Sequence, residues 1–331
     1  MKCLVTGAAG FIGSNLVDEL VAQGHKVLAI DNFATGNKKN LQKSINKIYF
    51  KKIDITDIKK LKKSNLNKNI DWVFHLAGLA DIVPSIQKPT NYIDTNVNGT
   101  LNILELFRNK KIKKFIYAAS VSCYGVPKKF PTTEKDKIDP QHPYALSKFL
   151  GEELVMHWGK VYNMPNISLR FFNVYGPRSR TTGAYGAALG VFLAQKLNNK
   201  PLTIVGSGNQ TRDFVFIKDL IDAMIKAAKS KKSNSIFNLA SGKEHKVNDL
   251  AKLISSKRVK IPIRPGEPFR SLASINKIKK AIKWKPKTSL IEGVSFLLKD
   301  TSNWKKAPLW TPKKIRKATK AWFKHLKFKK F

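Results

Sequence analysis

The sequence predicts an α/β fold, a doubly wound parallel sheet joined to a smaller mixed α/β lobe, on three observations. Short apolar runs alternate with helically spaced segments through the first half, a glycine-rich turn follows the first run, and the regularity fades after residue 165. Strand–helix alternation covers both faces of a sheet, which calls for parallel strands and right-handed crossovers. The 331 residues, 42% of them apolar, suffice for one large unit or two closely joined lobes.

Residues 2–6, 26–30, 47–53, 72–75 and 115–118 read as strands, and 11–23, 57–64 and 92–109 between them as helices. One more strand, 167–171, precedes a Pro/Gly/Arg-rich loop at 176–183. Short strands near 202–205, 214–216 and 236–239 follow, with helices at 218–229, 247–256 and 275–282. This divides the chain into a dinucleotide-binding part, 1–165, and a second lobe, 166–331, partly interleaved with it. The stretch 301–331 holds eleven Lys/Arg and no acidic residue, with Trp304, Trp310, Trp322 and Phe323 among them. It reads as a terminal helix docking its aromatics on the body, in preference to a peripheral membrane anchor.

No apolar run approaches the roughly 18–20 residues that cross a bilayer, and the N-terminus enters the first strand without a secretory pattern. Two cysteines, Cys3 and Cys123, in so long a chain point to a reducing, cytoplasmic setting. The formal net charge is +40. Its lysines are scattered along the chain and do not gather on one motif, so nucleic acid is not expected as a partner; the field favours capture of an anionic substrate. The six histidines have no metal-ligand spacing, and no metal is expected.

The turn Gly7-Ala8-Ala9-Gly10-Phe11-Ile12-Gly13 follows the first strand and opens a helix. Glycines there let backbone approach a pyrophosphate whose charge rests on the helix N-terminus, the Rossmann-type arrangement. Asp31 ends the second strand where a carboxylate binds a ribose 2′-hydroxyl and repels a 2′-phosphate, which favours NAD over NADP. Asn32 follows it. Asp54 and Ile55, after the third strand, are placed to meet the adenine, and Leu76-Ala77-Gly78, after the fourth, to bring backbone to the cofactor.

Tyr144 and Lys148 stand four apart at the start of a helix running to about Tyr162, so they share a face. An ordinary tyrosine ionises near pH 10, a cost of roughly 4 kcal/mol at neutrality. A lysine cation and a nicotinamide cation nearby are expected to lower it and supply a general base. Ser120, at the end of the fifth strand, can hydrogen-bond the reacting oxygen. Tyr144, Lys148 and Ser120 form the expected catalytic set. Cys123 beside them reads as a buried small hydrophobe.

With TGAAGFIG, HLAG, NVNGT at Asn96–Thr100, YALSK, RFFNVYGPR at Arg170–Arg178, TRDFVFIKDL at Thr211–Leu220 and RPGEPFRSLASINK at Arg264–Lys277, the chain resembles the extended short-chain dehydrogenase/reductase family, the NAD-dependent nucleotide-sugar epimerases and dehydratases, over residues 1–300. The resemblance implies that Asn173, Arg212 and Arg264 hold a diphosphate and that Glu267 faces the nucleotide ribose. It places Ser85, Ser122 and Ser271 on the substrate side, Ser271 where a bulky tyrosine narrows the pocket of some members. It also implies NAD, a nucleotide-diphosphate sugar and a homodimer built on helices 92–109 and 144–162. Related dehydratases carry an Asp-Glu pair after the strand-end Ser/Thr. Here those positions are Val121 and Ser122, which leaves 4-epimerisation through a 4-keto sugar, UDP-glucose 4-epimerase-like. The alternatives are a dehydratase or dehydrogenase of the same family, or a basic NAD-binding protein without catalysis.

Overall fold

A computed structural model describes residues 1–179 and 188–326. In chain order the elements are β1 (Lys2–Thr6), α1 (Phe11–Ala22), β2 (Lys26–Asp31), β3 (Tyr49–Lys52), α2 (Ile58–Lys63), β4 (Trp72–His75), α3 (Ile82–Gln87), α4 (Pro89–Ile93), a π-helical turn (Asp94–Asn98) and α5 (Gly99–Phe107). Then come β5 (Lys114–Ser120), α6 (Pro143–Tyr162), β6 (Asn166–Phe171), β7 (Asn173–Tyr175), α7 (Ala188–Leu197), β8 (Leu202–Val205), β9 (Thr211–Phe216) and α8 (Ile217–Lys229). The last are β10 (Ser235–Leu239), β11 (Glu244–Lys246), α9 (Val247–Ile254), β12 (Arg258–Ile261), α10 (Asn276–Ile282), α11 (Leu290–Lys299) and α12 (Pro312–His325).

Seven parallel strands form the main sheet in the order β10-β6-β5-β4-β1-β2-β3. Helices cover both faces, which is why all seven residues of β5 and all four of β4 are buried. Leu16, Val17 and Leu20 of α1 and Leu220 and Met224 of α8 pack on one face. Leu61 of α2, Ile103, Leu104 and Phe107 of α5 and Val155 of α6 pack on the other. Each such side chain contributes about 1.5–3 kcal/mol by leaving water. The strand order reverses between β1 and β4, and at that switch a crevice opens outside the carboxyl ends of the strands. The smaller lobe holds a three-stranded sheet, β11-β9-β7, and a two-stranded one, β12-β8.

The doubly wound sheet matches the expectation, with corrections. The segment 236–239 belongs to the main sheet, as β10 on its edge beside β6, not to the small lobe. With β6 also beyond residue 165, a boundary at 165/166 cuts the sheet, and the interleaving is deeper than expected. The helix at 92–109 begins at Pro89 and passes through the π turn before resuming at Gly99. The strand at 214–216 starts at Thr211, and that at 47–53 shrinks to Tyr49–Lys52. Short elements β7, β11, β12 and α3 and the longer α7 and α11 were not anticipated. Trp304 and Trp322 are buried in the C-terminal stretch, whereas Phe323 is exposed. Residues 180–183 of the loop and 327–331 of the tail lie outside the described residues. No helix among the described residues is long and apolar enough to cross a membrane.

Candidate active site

The crevice at the switch point is a cleft of about 590 Å³. Gly7 sits at φ +68°, and a Cβ there would lie 2.7 Å from the Ala77 nitrogen; one on Gly13 would lie 2.1 Å from the Gly7 oxygen. Both glycines are therefore fixed by backbone packed against backbone. Helix α1 opens after Gly10 with no side-chain cap on its free N–H groups, an arrangement suited to a phosphate.

Asp31 closes β2, its Oδ2 accepting from Ala9 N–H at 2.9 Å and its Oδ1 from Phe33 N–H at 2.6 Å. Burial pushes its carboxyl pKa up, and the two N–H groups pull it partly back. Asn32 donates to Asp54 Oδ2 at 2.7 Å. Burial would raise the Asp54 pKa, yet hydrogen bonds from the Thr56 backbone, Asn32 and the Thr56 hydroxyl hold it below the usual range. Gly7, Gly10, Phe11, Ile12, Gly13, Asp31, Asn32, Asp54, Ile55, Leu76, Ala77, Gly78, Tyr144 and Lys148 all border this one cleft. A dinucleotide suits such a wall: a close-approach turn, an uncapped helix start, and a carboxylate at the end of the second strand.

At the inner end the Tyr144 hydroxyl donates to Ser120 Oγ at 3.2 Å, and Ser120 and Ser122 share a 2.8 Å hydrogen bond. Lys148 is buried, its Nζ 4.3 Å from the centroid of the Tyr117 ring. The expected acidic phenol is not what the protein alone produces. Burial pushes the Tyr144 pKa up, offset in part by the Ser120 and Ser122 hydroxyls, while the Asp81 charge adds to the rise. Burial likewise pushes Lys148 down to about 7, against the pull of Glu152. Desolvation penalises the charged form of each partner, so proximity does not by itself make the tyrosine acidic. Cys123 is buried and its thiol pushed up to about 12, chiefly by desolvation, which suits an inert core residue.

Two supporting residues escaped the sequence reading. His142 caps α6, its Nδ1 accepting from Ala145 N–H at 3.2 Å, and its ring stacks on Tyr144 with centroids 5.8 Å apart. Histidine is not among the usual cap formers, so only Pro143 signalled this helix start. Asn96 is fully buried; it accepts from Leu79 N–H at 2.8 Å and donates to Leu79 O at 3.0 Å and Ser147 Oγ at 2.9 Å. It thus ties the π turn, the cleft wall after β4 and the Tyr144 helix together. NVNGT was visible as a motif, but the spacing carried no hint of a clamp.

On the other lobe, Glu267 stands between two arginines. Its Oε1 is 2.8 Å from Arg212 Nη2 and its Oε2 3.7 Å from Arg264 Nη1. Glu267 Oε2 is buried and makes no hydrogen bond. Asn173, on β7, donates to the Asp213 carbonyl at 3.4 Å, beside Arg212 on β9. Ser271 is buried just after Arg270, which pairs with Glu244 at 2.6 Å. Ser85 is buried in α3, its hydroxyl donating to the Ile82 carbonyl at 2.6 Å.

A family model described as the NAD dependent epimerase/dehydratase family matches residues 3–240. The chain is 37% identical over 310 residues to a putative UDP-glucose 4-epimerase of Methanocaldococcus jannaschii, covering 92% of this chain and 98% of that protein. Among solved structures, it resembles UDP-glucose 4-epimerase from Thermotoga maritima with UDP-glucose, at TM-score 0.84 and 32% identity, over 90% of this chain and 98% of that one. It also resembles UDP-glucuronic acid 4-epimerase from Bacillus cereus in complex with UDP-glucuronic acid and NAD, at TM-score 0.80 and 32% identity, over 89% of this chain and 97% of that one.

Proposed function

Because the chain belongs to the NAD dependent epimerase/dehydratase family, we propose that it catalyses 4-epimerisation of a nucleotide-diphosphate hexose, a UDP-sugar, through a transient 4-keto intermediate. The observation that carries the reading is the Tyr144–Ser120 hydrogen bond at the inner end of the cleft, with Lys148 in the same wall and no carboxylate at positions 121 and 122.

NAD, when bound, supplies a hydride acceptor and a positively charged nicotinamide ring. Gly7, Gly10, Phe11, Ile12 and Gly13 would hold its pyrophosphate, Asp31 and Asn32 its adenosine ribose, and Asp54 and Ile55 its adenine. Leu76, Ala77 and Gly78 would back the remainder, with Tyr144 and Lys148 toward the ring. Tyr144 takes the proton of the sugar 4-hydroxyl, and Ser120, 3.2 Å from the phenol, would donate its own hydroxyl to that oxygen. The cofactor's positive charge would favour the phenolate against the burial penalty on Tyr144, and Lys148 adds to this while it stays protonated, a state that Glu152 supports. Val121 and Ser122 cannot move a proton at carbon-6, so the ketone is turned and reduced on its other face. Asn173, Arg212 and Arg264 hold the diphosphate, where guanidiniums offer paired donors. Glu267 accepts from the nucleotide ribose, and Ser122 and Ser271 flank the sugar.

The enzyme acts as a homodimer on this reading, supported by Leu146, Val161 and Tyr162, which α6 leaves 44%, 50% and 40% exposed. The two free cysteines, both buried, support a cytoplasmic setting. Incubation with UDP-glucose, UDP-N-acetylglucosamine and UDP-glucuronate, followed by proton NMR, tests the function. Inversion at carbon-4 without net cofactor reduction is expected; accumulation of reduced cofactor, or release of water or carbon dioxide, overturns it.

A further inference from the structure

Helix α12 is a formed and docked element. Thr311 caps it by accepting from Lys314 N–H at 3.4 Å, Pro312 takes the first position, and Ile315, Thr319 and Trp322 share its buried face. It packs against α3, which follows the cleft wall at Gly78–Ala80. It also holds the turn that carries Arg264 and Glu267. The Trp322 indole N–H donates to the Pro265 carbonyl at 2.6 Å, and the Arg264 guanidinium carbon lies 5.8 Å from the centroid of its ring. Trp322 is only 1% exposed. Gly266, which follows Pro265 at φ +73°, gives the turn no side chain to anchor it.

We propose that α12 is part of the substrate site, a clamp bridging α3 to the Arg264–Glu267 turn, with Trp322 the positioning residue for the nucleotide-diphosphate end of the substrate. The inference rests on the reading of Arg264 and Glu267 given above. Glu267 Oε2, buried without a hydrogen bond and 3.7 Å from Arg264 Nη1, is open to donors such as ribose hydroxyls, and it meets them only if the turn stands at a fixed height. The indole sets that height through the Pro265 peptide and steadies Arg264 by a cation–π contact.

The full-length protein is compared with Trp322→Phe and Trp322→Ala by calorimetry with UDP, by steady-state kinetics with the UDP-sugar that the parent turns over, and by bound NAD content. Trp322→Phe keeps a ring and loses the N–H; its Kd for UDP and its KM are expected to rise about threefold to tenfold. Trp322→Ala also loses the ring, and a rise of roughly tenfold or more is expected. In both, kcat and NAD content stay within about twofold of the parent, the pattern of lost ligand positioning. Unchanged UDP affinity in both folded variants, or kcat and NAD content falling together with KM, overturns the clamp. A parent that fails to bind UDP overturns the substrate-site reading itself, and the clamp with it, before any variant is compared.

Discussion

The hydroxyl of Tyr144 lies 3.2 Å from Ser120 Oγ, a hydrogen bond that joins the first turn of α6 to the carboxyl end of β5. Removing the phenolic oxygen removes the proposed base and leaves the cleft in place. Tyr144→Phe is expected to lower kcat by about 10²- to 10⁴-fold, with NAD still bound after purification. A rate within tenfold of the parent would remove Tyr144 from the chemistry.

Asp31 accepts from two backbone N–H groups and still borders the cleft. Asp31→Asn retains one acceptor oxygen and loses the charge that repels a 2′-phosphate. Fluorescence titration should show NAD affinity falling about tenfold or more and the preference over NADP narrowing. An unchanged ratio of the two affinities would contradict the ribose assignment.

Arg212 shares Glu267 with Arg264, so its loss removes one guanidinium from the proposed diphosphate cradle without stranding the carboxylate. Arg212→Ala should raise KM for the UDP-sugar by roughly 10- to 100-fold, the worth of a charge-assisted hydrogen bond. Arg212→Lys should recover little, since the planar fork is gone. Affinity in the parent should weaken as salt is raised.

Beneath the site, Arg170 and Glu152 form an ion pair at 2.5 Å, with side chains only 3% and 1% exposed. Ser168 and Tyr124 complete the network at 2.7 Å each. Glu152→Ala leaves a guanidinium uncompensated in the core and should cost about 3–5 kcal/mol of stability, seen as a lower midpoint in thermal or urea unfolding. A midpoint equal to the parent's would show that the pair is dispensable.

His75 is buried between Thr6 and Thr100, hydrogen-bonded to both, and burial pushes its pKa down to about 3. His142 is pushed down to about 4 by the same cause. Below about pH 6.5 the unfolded chain takes up protons on these rings. The folded chain takes them up only near the depressed values, so stability must fall as pH drops through that window. The melting temperature is expected to decline between pH 6.5 and 4 and to do so less steeply in His75→Gln. Equal slopes would rule out His75 as a contributor.

Most of the sheet was legible because parallel strands buried on both faces read as continuous apolar runs, as in the residues of β4 and β5. The cofactor wall was legible for a related reason: the Gly7–Gly13 turn and Asp31 occupy strand ends that the topology brings together. Helix α11 has a readable start, Ser289 with Glu292 forming a capping box, but it lies beyond the regular strand–helix alternation that marks the other elements. Other features had no local signal. β10 joins the main sheet by a long-range pairing with β6, and the π turn at Asp94–Asn98 looks like uninterrupted helix in sequence. The hydrogen bond of the Ser85 hydroxyl to the Ile82 carbonyl inside α3 likewise has no signal in the sequence. The rise in the Tyr144 pKa is a property of burial, which residue spacing does not reveal.

The account turns on a hydride that leaves carbon-4 of the sugar and returns to the same carbon, with Tyr144 handling the proton. A UDP-sugar deuterated at carbon-4, converted by the purified enzyme in ordinary water, tests this directly by NMR and mass spectrometry. The account predicts an inverted carbon-4 that keeps its deuterium, with no labelled reduced cofactor free in solution. Deuterium lost to solvent from the inverted product would mean that the configuration changes by another route and would contradict it.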